Sequence, residues 1–393
     1  MIKVVWLCHF TNSKVQQRIK VRNPISAFAP WITLSIEEIK KRIDIELHVI
    51  SPHRWISGIH SFSEGNVNYY FFNPGIPLYG RHWPGIFRFD YWTNFYFNRK
   101  KIRKIIQKIN PDLINLHGVE NPYYSYAILD YKDKYPILIT IQGLKSLNVF
   151  NLDNWVIKKD IDVEQRLLKE FDEFGIRVKF LREYIQGINN QAKFYYFKYP
   201  FGSEINLIEQ MNSTYDCVFF ARISKDKGIE DLIEAIKILK IEVPNIKLKI
   251  VGDGDSEYIE LLKNRIILYQ LKENIDILGF FENHSDVYKI VAQAKISVLP
   301  TYNDILPGTI IESLRLGIPV VAYAANGVVD FNVNREVVKL VELGNIKMLA
   351  EEILIFLKNP ELRNVFSKLG KLEVNENFNN GIEIAKLIDA YHD

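Results

Sequence analysis

The stretch from Leu299 to Asp330 constrains the fold more than any other part of the chain. An apolar run ends at Pro300, and a polar loop follows it. Pro307 is well placed to begin a helix, because the first helical N–H has no partner within the helix. The helical pattern stops at Gly317, and Pro319 begins a second apolar strand. This order of strand, loop, helix and strand is typical of an α/β unit with a parallel sheet.

The first turn of this helix is a candidate anion site. Gly308, Thr309 and Ile310 would present free backbone N–H groups at the positive end of the helix dipole, which favours a phosphate. Two acids flank this turn, Asp304 in the loop and Glu312 in the helix, with seven residues between them. The pattern predicts a phosphate-bearing ligand close to two carboxylates.

In these residues the sequence resembles the retaining glycosyltransferases of family 4, which have the GT-B fold. The family has a motif in which an acidic residue is followed, after seven other residues, by Glu, and Asp304 and Glu312 match it. Gly317 to Ala322 match the family's Gly-x-Pro-Val-Val-Ala. Asn326-Gly327 before Asp330 matches its glycine turn that ends in an acid. The first acid is usually Glu, so Asp304 is a departure that shortens the side chain by one methylene.

Further motifs of the family occur in the C-terminal half. Arg222 and Lys227-Gly228 match its Arg-x-x-x-x-Lys-Gly, Gly252 and Gly254 match its Gly-x-Gly, and Leu278-Gly279-Phe280 match the turn near its base-binding loop. A pair of cations is what a departing diphosphate needs. Gly-x-Gly alone is a weak signal, which we expect to serve the fold and give the nucleotide room. The resemblance implies a donor site formed by Arg222, Lys227, Gly252, Gly254, Phe280, Phe281, Pro307, Gly308, Thr309 and Glu312.

The same residues also have plain structural explanations. Arg222 and Lys227 could belong to a solvated loop, and Glu312 could be an exposed acid on a helix. Asp304 could be an acid favoured by the dipole at a helix N-terminus. Under the functional interpretation Glu312 accepts hydrogen bonds from the ribose hydroxyls and Asp304 contacts the sugar, and His117 joins these four residues in the catalytic set.

The N-terminal half alternates apolar runs with helical patterns, which indicates a parallel α/β sheet. Ligands of such sheets bind beyond the carboxyl ends of the strands. His117 follows a predicted strand there; the resemblance implies contact with the donor sugar, although a lone histidine after a strand is often structural. His9, Gln142 and Gly143 also follow strand ends and are candidates for binding the acceptor.

The pattern predicts two Rossmann-like α/β domains, and the resemblance implies that they face each other across a cleft. Residues 1–204 would bind the acceptor and residues 205–375 the nucleotide sugar, while a helix over 376–393 would cross back to the N-terminal domain. The predicted N-terminal strands are Lys3 to Leu7, Glu46 to Ile50, Asn68 to Phe72, Leu113 to Leu116, Ile137 to Ile141 and Phe194 to Lys198. The predicted N-terminal helices are Ala27 to Lys41, Tyr91 to Ile109, Pro122 to Tyr131 and Val163 to Phe174.

Composition excludes few functions. A net charge of +3 is too small to argue for a nucleic-acid partner. The two cysteines, Cys8 and Cys217, fall in strands of different predicted domains, so we expect no disulfide and a reducing cytoplasm. Met1 to Phe10 is expected to be a first strand and not a signal peptide. No apolar run approaches the roughly 20 residues that a membrane span needs.

Two features of the N-terminal half leave alternatives open. The predicted helix Asn98 to Ile109 has an apolar face and five basic residues, namely Arg99, Lys100, Arg103, Lys104 and Lys108. This basic surface is either a solvated face or a site of attraction to anionic lipid or a lipid-linked diphosphate. All six tryptophans lie in the first 155 residues and either pack in the fold or stack on an acceptor sugar.

Three functions remain under consideration. The first is transfer of a sugar from a nucleoside diphosphate sugar to a saccharide or lipid-linked acceptor with retention, in the synthesis of a cell-surface polysaccharide. The second is a catalytically silent partner that binds sugar nucleotides, and the third is a sugar-nucleotide epimerase or hydrolase. We expect no metal cofactor, because Arg222 with Lys227 supplies the positive charge that a diphosphate needs.

Overall fold

The computed structural model describes residues 1–21, 28–76, 87–148, 150, 153–208 and 211–392. The chain divides into two compact units. The N-terminal unit consists of Met1–Leu147, Asn151–Phe201 and Asn380–Asp393, and the C-terminal unit consists of Asn148–Phe150 and Gly202–Asn379. Apart from the short segment Asn148–Phe150, the chain passes from one unit to the other after Phe201 and again after Asn379.

The N-terminal unit is a sheet flanked by helices. Its strands are β1 (Ile2–Leu7), β2 (Ile45–Pro52), β3 (Ile59–Glu64), β4 (Val67–Phe72), β5 (Leu113–His117), β6 (Ile137–Thr140), β7 (Glu173–Ile176) and β8 (Lys193–Tyr196). Its helices before residue 201 are α1 (Ser13–Arg18), α2 (Pro30–Ile39), α3 (Phe89–Trp92), α4 (Tyr96–Ile109), α5 (Pro122–Ser125), α6 (Trp155–Glu170) and α7 (Lys179–Gln186). Over the described residues the sheet has eight strands in the order β3-β4-β2-β1-β5-β6-β7-β8.

The order of the strands reverses at β1, which lies between β2 and β5. Its residues Val4 to Leu7 are fully buried, as expected for a parallel strand that has both faces covered. β3 is the exception to the predicted parallel sheet, because it pairs antiparallel with β4 at the edge. The pattern did not reveal β3, since its sequence IHSFSE alternates exposed and half-buried residues without a strong apolar signal.

Two predicted helices were wrong in extent. The predicted helix to Phe174 ends at Glu170, and Phe174 is instead a fully buried residue of β7, where sheet packing prevails over helical periodicity. The predicted helix from Tyr91 to Ile109 is two helices, since Asn94 and Phe95 have φ of 47° and 56°. Ala27, the predicted start of α2, lies outside the described residues, and α2 itself begins at Pro30.

The C-terminal unit is a second sheet with helices. Its strands are β9 (Tyr215–Phe220), β10 (Leu248–Val251), β11 (Ile275–Gly279), β12 (Ala294–Leu299), β13 (Val320–Tyr323) and β14 (Val338–Val341). Its helices are α8 (Ile229–Leu239), α9 (Ser256–Leu268), α10 (His284–Val291), α11 (Gly308–Leu316), α12 (Ile346–Lys358) and α13 (Pro360–Asn377). In the described part of this unit, six parallel strands follow the order β11-β10-β9-β12-β13-β14. The order of the strands reverses between β9 and β12.

The last helix, α14 (Asn380–Asp389), belongs to the N-terminal unit. Ile384, Leu387 and Ile388 are buried in its core. The hydroxyl of Tyr391, just past the helix, accepts hydrogen bonds of 2.8 Å from the Trp6 indole N–H and 2.9 Å from the Asn115 amide. A C-terminal segment therefore completes the core around β1.

Helix α4 carries the predicted basic surface. Ile102, Ile105, Ile106 and Ile109 are buried, which confirms the predicted apolar face. Asp130 binds the guanidinium groups of both Arg99 and Arg103. Lys100, Lys104 and Lys108 are exposed, and no ion pair with another described residue engages them. Two of the five predicted cations are therefore paired within the fold and share one carboxylate.

The tryptophans differ in burial. Trp6 is fully buried, whereas Trp92 and Trp155 are 82% and 44% exposed, and Trp83 lies outside the described residues. Cys8 and Cys217 are buried free thiols, as predicted. Within the described ranges, no helix has both the length and the apolar character that are needed to cross a membrane.

Candidate active site

The two cations predicted to bind a diphosphate lie in the loop after β9. Arg222 is exposed over 69% of its side chain, whereas Lys227 is only 14% exposed. The Lys227 ammonium forms a 2.5 Å ion pair with Asp304 Oδ2. The carboxylate of Asp226 lies between the two cations, 3.4 Å from Arg222 and 3.9 Å from Lys227. The fold thus gathers these side chains at the carboxyl ends of β9 and β12.

Hydrogen bonds fix the loop that carries Asp304. The Tyr302 N–H donates to the Asp226 carbonyl at 2.8 Å, and the Thr301 hydroxyl donates to the same oxygen at 3.2 Å. On the other side, the Gly327 N–H donates to the Asp304 carbonyl at 3.1 Å. Three loops, after β9, β12 and β13, are therefore tied together. They lie where the strand order reverses, which is the usual ligand position in open α/β sheets.

Three glycines permit the close packing of these loops. A Cβ on Gly228, whose φ is +66°, would lie 1.9 Å from the Pro300 carbonyl oxygen. A Cβ on Gly252 would lie 1.9 Å from the Ala221 carbonyl oxygen. Gly254 is equally crowded, because the carbonyl oxygen of Ile223 would lie 2.3 Å from its Cβ. Gly252 and Gly254 thus allow the loop after β10 to pack on the Arg222 loop; contact with a nucleotide stays a prediction.

Helix α11 begins at Gly308, with Pro307 as the preceding cap residue. No side chain caps this end, and the first turn contains no acid. Gly308 and Thr309 therefore offer backbone N–H groups that have no partner within the helix. The space beside Gly308 is open, because no atom would lie within 4 Å of a Cβ added there. The Ile310 N–H, the third predicted donor, instead donates to the Pro307 carbonyl at 3.1 Å, and phosphate binding by the other two stays a prediction.

Glu312 lies further along α11 and is half-buried. The Tyr288 hydroxyl donates a 3.1 Å hydrogen bond to its Oε1. Burial raises the pKa of Glu312 to about 7, and the hydrogen bond from Tyr288 opposes that rise. Sequence reasoning missed Tyr288, because only the packing of α10 on α11 brings it to Glu312.

The remaining predicted donor residues differ in exposure. Phe280 is 50% exposed just after β11, whereas Phe281 is partly buried against an apolar cluster. In the described part of the chain, no hydrogen bond or ion pair joins Glu312 to Arg222 or Lys227. None of the described residues forms a group of three or more His, Cys, Asp or Glu suited to a metal ion.

In the N-terminal unit, His117 ends β5 next to the reversal of strand order at β1. It is fully buried, and its ring centroid lies 4.3 Å from that of Trp6. Neither ring nitrogen has a hydrogen-bond partner among the described residues. Burial, aided by the charge of Arg177, lowers the pKa of His117 to about 3, so the ring is neutral at physiological pH.

His9 follows β1 and lies at the same edge of the sheet. Its Nδ1 is 2.6 Å from the Tyr123 hydroxyl, and its ring packs on Phe28. Burial, with the nearby charges of Arg54 and His53, lowers the pKa of His9 to about 3. A second neutral imidazole is therefore available for hydrogen bonds with a neutral ligand such as a sugar.

Gln142 and Gly143 follow β6. The Gln142 side-chain nitrogen is buried without a hydrogen-bond partner in the described chain, and Gly143 has open space around it. Buried Glu164 holds the rest of this loop by accepting N–H groups of Lys145 at 2.6 Å and Ser146 at 3.1 Å. The Glu164 carboxylate of α6 thus fixes the loop that follows β6.

Glu120 and Arg177 are polar residues of this edge that the sequence did not single out. The Glu120 carboxyl folds over Gly118, and its Oε2 is buried without a partner among the residues described. Burial raises the pKa of Glu120 to about 7. The Arg177 guanidinium stacks 3.9 Å above the Tyr199 ring. Their positions just after the strands β5 and β7 could have identified them as candidate site residues, but the sequence pattern did not predict β7.

Comparison with known proteins identifies the family. Residues 209–373 match the family described as Glycosyl transferases group 1, and residues 88–174 match Glycosyl transferase 4-like proteins. The two matches together cover more than half of the chain. Over residues 209–373 the chain belongs to the group 1 glycosyltransferases.

One similar member of this family is the capsular polysaccharide biosynthesis glycosyltransferase CapM of Staphylococcus aureus. It is 28% identical over 189 residues, which cover 46% of this chain and 47% of CapM. The chain thus spans about half the length of the curated relatives it matches.

Solved structures extend the likeness to the whole fold. Sucrose-phosphate synthase from Thermosynechococcus elongatus superposes with a TM-score of 0.78 at 15% identity, over 100% of this chain and 98% of that one. HepE from Anabaena, solved in complex with UDP and glucose, gives a TM-score of 0.69 at 16% identity over all of both chains. These likenesses and the two Rossmann-like sheets confirm the predicted GT-B fold.

Proposed function

We propose that this glycosyltransferase moves a sugar from a nucleoside diphosphate sugar to a saccharide or lipid-linked acceptor with retention of anomeric configuration. The observation that carries the proposal is the Lys227–Asp304 ion pair at the point where the strand order of the C-terminal sheet reverses. It places a cation for the diphosphate and a carboxylate for the sugar side by side. HepE, solved with UDP and glucose, supports a donor of this kind.

The diphosphate is the group that gains charge as the reaction proceeds. The bond between the anomeric carbon and the phosphate oxygen breaks, so the leaving oxygen must be stabilised. Lys227 and Arg222 supply positive charge, and the uncapped N–H groups of Gly308 and Thr309 supply hydrogen bonds. This arrangement requires no metal ion to neutralise the diphosphate.

The other residues would orient the donor. Glu312, held by Tyr288, accepts hydrogen bonds from the ribose hydroxyls. Asp304 exchanges its ion pair with Lys227 for the sugar hydroxyls when Lys227 turns to the diphosphate. Phe280, half-exposed after β11, lies in the turn expected to contact the base.

The acceptor oxygen forms its bond to the anomeric carbon on the face that the phosphate leaves. The acceptor proton passes to the departing phosphate oxygen, so no covalent nucleophile on the protein is needed. In the N-terminal unit, His9 and Gln142 offer polar atoms for the acceptor and His117 for the donor sugar. We propose that transfer retains the anomeric configuration and needs no metal ion, and that the enzyme is a member of family 4.

The biological setting is proposed from the relatives. CapM is a capsular polysaccharide biosynthesis glycosyltransferase, which supports a role in cell-surface polysaccharide synthesis. We propose a cytoplasmic enzyme that meets the inner face of the membrane through the lysines of α4, with no nucleic-acid partner.

A ligand screen followed by product analysis tests the proposal. Thermal denaturation with UDP, GDP, ADP and their sugars should single out one nucleotide, because a ligand at a hundred times its Kd stabilises the fold by about 2.7 kcal/mol. NMR of the product formed with the matching donor and candidate acceptors should show the donor's anomeric configuration. An inverted product would contradict retention. Donor turnover without any glycoside would favour a hydrolase or epimerase, and binding without turnover a silent partner.

A further inference from the structure

A cavity of about 440 Å³ opens in the C-terminal unit, away from the proposed donor site. It is bounded by Lys295 at the start of β12, by Pro319 just before β13, by the end of α11 and by one face of α13. The donor residues lie beyond the carboxyl ends of the same strands, so the cavity is at the opposite edge of the sheet. Its volume is in the range of small-molecule sites.

The described residues that line the cavity include no Asp or Glu but four cations, Lys295, Arg315, Arg363 and Lys371. Lys295 is neutralised by Asp216 at 2.7 Å. Arg363 donates to the Leu357 carbonyl at 2.9 Å, a contact that leaves its charge in place. Desolvation by burial lowers the pKa of Arg363, and the nearby charge of Asp216 opposes that shift. A concave surface lined by one sign of charge concentrates the opposite sign.

One face of α13 supplies most of the polar groups. Arg363, Ser367, Lys371 and Asn375 all line the cavity and recur every fourth residue, which places them on the same side of the helix. A Cβ built on Gly317 would lie 2.7 Å from the Ser367 hydroxyl and 2.9 Å from the Lys371 ammonium. Both donors therefore lie beside Gly317 at the cavity wall, near enough to each other to donate to one anion.

Helix capping explains part of this arrangement. Arg363 binds the last carbonyls of α12, where a cation also complements the helix dipole. Capping of α12 accounts neither for the neighbouring Ser367 and Lys371 nor for the cavity that they line. We infer that this cavity is a second binding site, separate from the donor site, for a small molecule that carries a phosphate group. The inference does not depend on the proposed transfer reaction.

Titration calorimetry with inorganic phosphate and with glycerol 3-phosphate, at constant ionic strength set by chloride, tests this site. The wild-type protein should bind at least one probe saturably. The double variant Ser367→Ala/Lys371→Gln should bind it roughly tenfold more weakly or worse, because it loses hydrogen bonds to a charged group. The control Lys368→Gln removes an exposed charge from the same helix and should bind like the wild type.

The variant Lys227→Gln distinguishes binding in the cavity from binding at the donor site, because a free phosphate could also occupy the donor site. The inference holds if Lys227→Gln retains probe binding and the cavity variant loses it. It is overturned if the wild type gives no saturable binding, if the double variant binds unchanged, or if only Lys227→Gln loses binding. If the double variant melts at a much lower temperature, Ser367→Ala alone, which removes one hydroxyl, provides the comparison.

Discussion

The Lys227 ammonium lies 2.5 Å from Asp304 Oδ2, although the two residues are 77 positions apart in the chain. Each is predicted to bind a different part of the donor, the diphosphate for Lys227 and the sugar for Asp304. The two side chains neutralise each other at the edge of the sheet. Under the proposed function, binding of a nucleotide sugar exchanges this ion pair for two contacts with the ligand, and that exchange leads to the first prediction.

We predict opposite effects for the two acids of the donor site. Glu312→Ala should weaken binding of the nucleoside diphosphate, because the ribose is common to donor and product. Asp304→Ala should leave that binding intact or tighten it, because Lys227 is released from its ion pair, while turnover of the sugar donor falls. Calorimetry with the free nucleotide and steady-state kinetics with the donor separate these effects. Equal loss of nucleotide affinity in both variants would show that the roles are misassigned.

Ionisation of Glu312 should lower the free energy of unfolding as the pH rises from 4.5 to about 7. Its folded pKa of about 7 exceeds its ordinary value of 4.5, so the folded state binds more protons than the unfolded state between these values. Its contribution to the free energy of unfolding is therefore fully present below pH 4.5 and lost as pH rises through 7. At pH 8 we expect Glu312→Gln to be about 2 kcal/mol more stable than the wild type in urea unfolding.

A matched control is Glu361→Gln, which removes an exposed carboxyl at the start of α13 and should not alter the pH dependence. Tyr288→Phe should move the Glu312 transition to higher pH, because it removes a hydrogen bond that favours the ionised form. A Glu312→Gln curve that parallels the wild-type curve from pH 5 to about pH 8 would contradict this assignment.

Gly228 should tolerate no side chain. Gly228→Ala would place a Cβ 1.9 Å from the Pro300 carbonyl oxygen at a φ of +66°, so the loops that carry Lys227 and Asp304 must separate. We expect a loss of more than about 3 kcal/mol of folding free energy, together with lost nucleotide affinity. Gly279→Ala is the control, because its φ is +79° but no atom lies within 4 Å. It should cost only about 1–2 kcal/mol, the strain of the left-handed conformation.

The exposed lysines of α4 should control binding to anionic membranes. Replacing Lys100, Lys104 and Lys108 with Gln should weaken binding to phosphatidylglycerol vesicles about hundredfold, because each charge contributes about 1 kcal/mol near such a surface. Arg103→Gln should have less effect than any one of these lysines, since an ion pair with Asp130 holds Arg103 against the fold. Sedimentation of vesicles with increasing salt gives the measurement, because the screening length is roughly 8 Å at physiological strength. If the wild-type protein does not bind these vesicles even at low salt, the basic surface of α4 is an ordinary solvated surface.

Transfer should continue in excess EDTA. The positive charge of Arg222 and Lys227 would take the place of a divalent ion at the diphosphate. Initial rates measured with and without EDTA should agree, whereas Lys227→Gln should reduce kcat strongly under both conditions. A full loss of activity in EDTA that Mn²⁺ or Mg²⁺ restores would exclude metal-independent transfer.

Local sequence patterns predicted the C-terminal unit well. The chain around Pro300 to Tyr323 folds as the expected strand, loop, helix and strand, because proline and glycine fix where α11 begins and ends and apolar runs define the strands. The motif positions also located Lys227 and Asp304 at strand ends. These features depend on residues close together in the chain, so sequence alone was sufficient.

Tertiary structure decided the contacts between distant segments. The pairing of Lys227 with Asp304, the hydrogen bond from Tyr288 to Glu312, the burial of Glu120 and the contact of Tyr391 with Trp6 join residues from different elements. The edge strand β3 and the true end of α6 also depended on neighbouring strands. Propensity and periodicity describe one segment at a time, whereas burial and charge pairing depend on which segments meet, and only the packed fold determines that.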